Sequence, residues 1–297
     1  MTLSNNFNLR SLNTWQVGGF CAKLLVPSTI KEAAKEYLCA KNDKKDIYVL
    51  GGGSNVLIVE GLLDATVFHT SSLSNIAVND DNFEKKIRVS VESGFTTKDL
   101  LTFAINKNLT GLEFFTGIPG TVGGALWGNA GAGNEGLKNV VSEIETIEKD
   151  GSIRVWSAED LNWQYRKNPF NNSTFMITKC SFLLKEVSKD TIFKKIKEYS
   201  YSKKGQPLGK KTAGCVFKNP EGHFAGSLLE NSGCKGLRCG DAIVSSSHAN
   251  FIENTGRASS SDIFNLSELC RSRVYAKYGV NLEYEIQFFG DFQKKIY

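Results

Sequence analysis

The sequence reads as a mixed helix-and-strand protein of two or three packed units, and three observations carry that expectation. Its 297 residues exceed one small domain. Short β-branched runs bounded by turn signals, at 47–50, 87–91 and 175–184, read as strands. Segments with apolar residues three and four apart, most clearly 262–278, read as helices between them.

Taken in order, the chain opens its readable part at Asn13 with N-T-W-Q-V-G-G-F, followed by a strand at 22–26. Pro27-Ser28-Thr29 starts a helix, with Thr29 and Glu32 in capping-box spacing and Ala33, Ala34, Tyr37 and Leu38 expected on the inward face. The strand at 47–50 runs into Gly51-Gly52-Gly53-Ser54-Asn55 and then a second β-like run, 56–59. In a Rossmann unit the glycine turn opens a helix, so this is a different arrangement. It still puts bare N–H groups between two strands, either as a tight turn or as a place for a phosphate.

A Ser/Asn/Asp-rich patch at 71–82 reads as a linker. A strand at 87–91 and a helix at 97–106 then lead into the stretch G-L-E-F-F-T-G-I-P-G-T-V-G-G-A-L-W-G-N-A-G-A-G-N-E-G, residues 111–136, with nine glycines. That density calls for unusual backbone angles or for a ligand lying on bare backbone. The apolar members Phe114, Phe115, Ile118, Val122, Leu126 and Trp127 suggest a ligand with a flat apolar part, although a glycine-rich surface loop accounts for the composition equally well. The embedded G-x-G-x-x-G at 131–136 follows no strand and carries little weight. Asp150-Gly151 between strands at 144–149 and 153–156 is a hairpin signal.

Downstream come a helix at 190–199, a basic segment at 203–212, and the helix 262–278 with Ile263, Leu266, Cys270 and Val274 on one face and Gly279 as its stop. The end is an alternation: Val280, Leu282, Tyr284, Ile286 and Phe288 face one side, with Asn281, Glu283, Glu285 and Gln287 on the other. By pattern alone the two glutamates are the wet face of a half-buried strand.

Composition narrows the function classes. Hydrophobic residues are 41% and charged residues 23%, as in ordinary soluble proteins, and no stretch approaches a membrane span. The N-terminus lacks a basic and apolar leader, so cytoplasm is the expected location. Seven scattered cysteines, no C-x-x-C and three histidines give no zinc pattern; thiols in a reducing compartment and no metal are expected. A net charge of +5 suits anionic small molecules. The basic patch with Tyr199 and Tyr201 is too short for an RNA-binding reading, so no nucleic-acid partner is expected.

N-T-W-Q-V-G-G, G-G-G-S-N-V-L, G-L-E-F-F-T-G-I-P-G-T-V-G-G-A, Y-R, A-G-C-V-F-K-N-P, H-A-N-F and G-V-N-L-E-Y-E-I occur in one order between about Asn13 and Gly290. Together they resemble the UDP-N-acetylenolpyruvoylglucosamine reductase (UDP-N-acetylmuramate dehydrogenase) family of peptidoglycan precursor synthesis. The chain is similar to the family's shorter form, with no room between Leu184 and Thr212 for the tyrosine-bearing insertion of the longer one. The resemblance implies an α+β fold, with a vanillyl-alcohol-oxidase-type FAD unit of two subdomains (1–70 and 71–186), a substrate domain (187–290) and a tail (291–297). It implies non-covalent FAD and NADPH as the hydride donor, with reduction of the enolpyruvyl ether of UDP-N-acetylglucosamine by a monomeric enzyme. A same-fold FAD oxidase acting on another substrate would keep the glycine turns but not F-K-N-P or L-E-Y-E.

The resemblance also assigns residues. Gly51, Gly52, Gly53, Ser54 and Asn55 match the FAD pyrophosphate loop, and Gly117, Ile118, Pro119, Gly120, Thr121, Gly123 and Gly124 match the segment along the flavin. Arg166 matches the catalytic arginine, whose planar fork suits a carboxylate. Glu285 matches the catalytic glutamate, with Glu283 as the second choice. Lys218 and Asn219 match substrate-holding residues, with Lys203, Lys204 and Lys235 as further phosphate partners. Two positions depart from the pattern: Cys215 stands where the family usually has a proton-donating serine, and Asn168 replaces a serine two residues after the arginine. A thiol, with a reference pKa of about 8.5, is the stronger acid of the two.

Overall fold

The structure, a computed structural model, describes residues 2–79, 86–132, 135–170 and 173–292. It divides into two compact units: Met1–Leu3, Leu24–Gly52 and Thr66–Lys204 form the first, and Ser4–Lys23, Gly53–Ala65 and Gly205–Tyr297 the second. This grouping differs from the expected 1–70, 71–186 and 187–290. Segments 4–23 and 53–65 go with the C-terminal residues, and 187–204 with the first unit. The strand Asp46–Leu50 lies in the first unit, and the chain passes from one unit to the other within each of the strands Thr2–Asn8, Phe20–Val26 and Leu62–His69.

The first unit holds helices α1 (Ile30–Asn42), α2 (Thr97–Asn106), α3 (Val122–Trp127) and α4 (Lys189–Ser202). Thr29 caps α1 by accepting from the Glu32 amide, while Glu32 reaches back to the Ser28 N–H at 2.6 Å. Its buried face is Ala33, Ala34, Tyr37 and Ala40. Leu38, expected there, is instead 43% exposed, because the 3.6-residue period carries the stripe from Tyr37 to Ala40 and turns Leu38 toward Gly151. The main sheet runs Ile153–Ser157, Val141–Glu148, Thr174–Glu186, Lys86–Glu92, Ile76–Asn79, with Leu109–Thr110 pairing the end of the third strand. Asp150-Gly151 makes the expected hairpin, with Ile147 opposite Ile153 and Gly151 at φ +87°. The patch read as a linker contains the strand Ile76–Asn79, registered on Lys86–Glu92; its part from residue 80 lies outside the described residues. After the strand Thr174–Glu186, the chain as far as Thr212 is α4 and irregular segments.

Phe114, Phe115, Val122 and Leu126 pack with Val89, Val91, Leu100, Ile144 and Phe182 into the core of this unit. They therefore do not form the apolar wall of a ligand site. Burying four large side chains is worth several kcal/mol to the fold, about 1.5–3 kcal/mol each, which explains their presence beside the glycines.

The second unit holds α5 (Ala225–Asn231) and α6 (Ser260–Tyr278), with the antiparallel strands Arg238–Cys239, Ala242–Val244 and Ile252–Asn254 and the parallel pair Val56–Ile58 and Gln287–Phe289. Ser259 and Asp262 form a capping box at the start of α6, and Gly279 ends it at φ +67°. Ile263, Leu266, Cys270 and Val274 are buried as expected, against Trp15, Leu57, Phe217, Val244 and Ile286. All seven cysteines are thiols, four of them buried. The alternating tail is not one strand. Tyr284 bridges Phe217, the chain bends, and only Gln287–Phe289 continues as a strand. Among the described residues no helix is long and apolar enough to cross a membrane.

Candidate active site

In the first unit the two glycine turns meet. A Cβ on Gly52 would stand 2.8 Å from the Gly120 Cα, and one on Gly51 would strike the Thr121 hydroxyl. The second turn is laced onto the start of α2: Thr97 Oγ donates to the Ile118 carbonyl at 2.7 Å, Thr97 N to the Gly120 carbonyl at 3.1 Å, and Gly123 N to the Ser93 carbonyl at 2.8 Å. Close backbone approach thus accounts for Gly52 and Gly123. It does not account for Gly124, which is exposed and whose missing Cβ would have no neighbour nearer than Thr121 Oγ at 3.5 Å.

Gly51, Gly52 and Thr121 line a cavity of about 380 Å³ together with His69, Phe95 and Asp99. That volume takes one part of a dinucleotide. Its lining of bare backbone, hydroxyls and an aromatic ring fits FAD, and burial holds the His69 imidazole below its ordinary pKa. His69 was not legible in the sequence: it is a single histidine at a strand end, tied by Ser71 Oγ to Nδ1 at 3.0 Å.

Arg166 sits in the turn 164–167 with φ +49°, closed by Lys167 N donating to the Gln164 carbonyl. Its Nη1 donates to the Asn129 carbonyl at 3.2 Å and its Nη2 to the Gly131 carbonyl at 3.4 Å. Gly131–Ala132 pairs with Glu135–Gly136, so the G-x-G-x-x-G is a strand pair, with residues 133 and 134 outside the described residues. From α4, Tyr199 donates to Glu135 at 2.8 Å and Lys195 pairs with it at 3.2 Å; the Tyr199 bond, then Lys195, holds the Glu135 carboxyl below its ordinary value. Asn168 accepts from Phe170 N at 2.9 Å, a local turn around Pro169.

Lys203, expected as a diphosphate partner, is only 9% exposed; its ammonium donates to the Thr116 carbonyl and its stem covers Gly117. Burial, and then the nearby Arg166 guanidinium, lowers its pKa to about 8. Lys204 is exposed on the surface of the same unit.

In the second unit, Glu285 N donates to the Val216 carbonyl at 2.8 Å and Lys218 N to the Glu283 carbonyl at 2.9 Å, which sets Glu285 across from the residue that follows Cys215. Glu285 and Cys215 are half-buried, so Glu285 departs from the wet-face pattern. Glu283 is exposed and pairs with Lys218 at 3.4 Å. Asn250 of H-A-N-F, a motif residue without a role in the sequence reading, brackets Phe217: its Oδ1 accepts from Phe217 N at 2.9 Å and its Nδ2 donates to the Phe217 carbonyl at 2.8 Å. Gly53 and Asn55 also belong here. Asn55 Nδ2 donates to the Glu285 carbonyl at 3.1 Å and its own carbonyl accepts from Gln287 N, so its amide braces the segment 285–287. Asn219 Oδ1 accepts from Ala225 N at 2.9 Å at the start of α5, and Lys235 pairs with Glu230 at 2.7 Å.

One unit with a glycine-backbone cradle for part of a dinucleotide, and another in which Glu285 hydrogen-bonds the residue after Cys215, suit a flavin-dependent oxidoreductase. Residues 21–157 match the FAD binding domain, and residues 206–289 the C-terminal domain of UDP-N-acetylenolpyruvoylglucosamine reductase. The chain is 34% identical to the reductases of that name from Clostridium botulinum (strain Hall) and Clostridium kluyveri (strain NBRC 12016), over 95% of its own length and 91% of theirs. The crystal structure of the Thermus caldophilus reductase superposes with a TM-score of 0.82 at 31% identity, covering 98% of this chain and 100% of that one. The chain belongs to the UDP-N-acetylenolpyruvoylglucosamine reductase family. It is an FAD-containing oxidoreductase of α+β fold, with an FAD binding domain and the family's C-terminal domain.

Proposed function

We propose that the protein reduces the enolpyruvyl ether of UDP-N-acetylglucosamine to UDP-N-acetylmuramate, with NADPH as reductant, as a cytoplasmic monomer. Residues 1–70 and 71–186 serve FAD and 187–290 the substrate. Bound FAD supplies the hydride, which it takes from NADPH. The reaction adds one hydride and one proton across a carbon–carbon double bond, so the protein must provide the proton and hold the carboxylate whose charge grows in the transition state.

Arg166 is the cation for that carboxylate. Two main-chain carbonyls hold its fork, so little reorganisation is needed when the charge develops. Cys215 donates the proton from Sγ and is reprotonated by solvent. Glu285 hydrogen-bonds the carboxylate region, and Asn55 and the Val216 carbonyl fix its backbone. Lys218, Asn219 and Lys235 bind the diphosphate end, together with Lys203 and Lys204. In this reading Gly51, Gly52, Gly53 and Ser54 receive the FAD pyrophosphate, and the turn of Gly117, Ile118, Pro119, Gly120, Thr121, Gly123 and Gly124 lies along the flavin.

The observation that supports the assignment is the backbone register of Glu285 on Val216, which sets its main chain beside the segment of the proposed acid. The test separates the half-reactions. Arg166→Ala and Glu285→Gln are expected to retain bleaching by NADPH and to slow reoxidation by the enolpyruvyl substrate roughly 100- to 1,000-fold. Equal loss in both half-reactions would refute these roles.

A further inference from the structure

We infer that Asn129 is the positioning residue for Arg166, gripping the arginine at both ends; the inference rests on the proposed role of Arg166. The base of the arginine is the turn 164–167, whose Gln164 carbonyl accepts from Lys167 N at 3.2 Å. The same carbonyl accepts from Asn129 Nδ2 at 2.7 Å, so the asparagine amide uses the second lone pair of the atom that closes the turn. The tip of the arginine is held by the same residue, because the Asn129 carbonyl accepts from Arg166 Nη1 at 3.2 Å.

Asn129 is itself fixed at the end of α3. Its N–H donates to the Leu126 carbonyl at 3.1 Å and the next residue's to the Ala125 carbonyl at 2.8 Å. Its φ of +45° is one that asparagine and glycine accept and branched side chains do not. Main chain and side chain therefore have separable jobs, and the second grip at Gly131 passes through the strand pair anchored by Glu135. Arg166 carries its own positive φ of +49°, and the Asn129 amide holds the carbonyl that closes the turn from which the arginine leaves.

Asn129→Gly keeps the backbone angle and removes the amide; Asn129→Asp keeps the size and replaces the donor with an acceptor facing a carbonyl. Both are expected to purify with wild-type FAD content and to bleach with NADPH at the wild-type rate. Single-turnover reoxidation by the enolpyruvyl substrate is expected to slow about tenfold or more, in the range of coupling between residues in one hydrogen-bond network. The deciding measurement is the cycle with Arg166→Ala: Arg166→Ala/Asn129→Gly should reoxidise no more slowly than Arg166→Ala alone. A further tenfold loss in the double variant, or wild-type rates in both Asn129 variants, overturns the inference while leaving Arg166 in place. Wild-type reoxidation by Arg166→Ala itself overturns the role of Arg166 and the inference with it.

Discussion

Cys215 and Lys203 are the side chains whose chemistry departs most from a generic reading, and both make predictions at the scale of one residue. A thiol donates a proton only while it is protonated. Cys215→Ala is therefore expected to bind FAD and accept hydride from NADPH, yet to reduce substrate about 100-fold or more slowly, the range for a lost general acid. Cys215→Ser should recover most of the turnover. Near wild-type single-turnover reoxidation in Cys215→Ala would assign the proton to another donor. Lys203 titrates at about 8 in the folded protein against 10.5 for the ordinary side chain. Between those values the unfolded chain holds more protons, so this lysine costs stability below pH 8 and the cost disappears as pH rises toward 10.5. Lys203→Met should thus exceed wild type in Tm at neutral pH, with the gap closing between pH 8 and 10.5; a constant gap would contradict the burial. Lys203 looked in the sequence like one of a run of solvated lysines. Nothing local marks it, because its burial comes from Thr116 and Gly117, far away in the chain.

At the scale of elements, the glycines divide into two kinds that composition does not separate. Gly52 is required by the backbone of Gly120, whereas Gly124 has room for a side chain. Gly52→Val is expected to force the turns apart and yield protein with little FAD. Gly124→Ala should leave the Tm of the apoprotein unchanged or slightly raised, since alanine favours helix by up to about 1 kcal/mol, and should weaken FAD binding. Unchanged FAD affinity in Gly124→Ala would show that its bare backbone faces no cofactor. The helices α1, α2 and α6 were legible because caps and apolar spacing are local signals, as was the Asp150-Gly151 hairpin. The strand Ile76–Asn79 was hidden by the Ser/Asn/Asp residues around it. The tail was read as one strand because alternation survives a bend: Leu282 and Ile286 are both buried although regular pairing begins only at Gln287. Asn250 could be quoted as part of a motif but not given a job, since its partner is the backbone 33 residues away.

At the scale of the whole molecule, ordered motifs made the family legible. Gly51-Gly52-Gly53 reads as one loop, yet the boundary between units falls after Gly52, and Asn55 serves the segment 285–287. Sequence adjacency cannot reveal which unit a residue joins. The most direct test is anaerobic: the purified yellow protein is bleached with one equivalent of NADPH and then mixed with UDP-N-acetylenolpyruvoylglucosamine. The account predicts return of the flavin band in a single turnover, with one UDP-N-acetylmuramate formed per flavin. A reduced flavin that stays bleached with that substrate and reoxidises only when oxygen is admitted would contradict it.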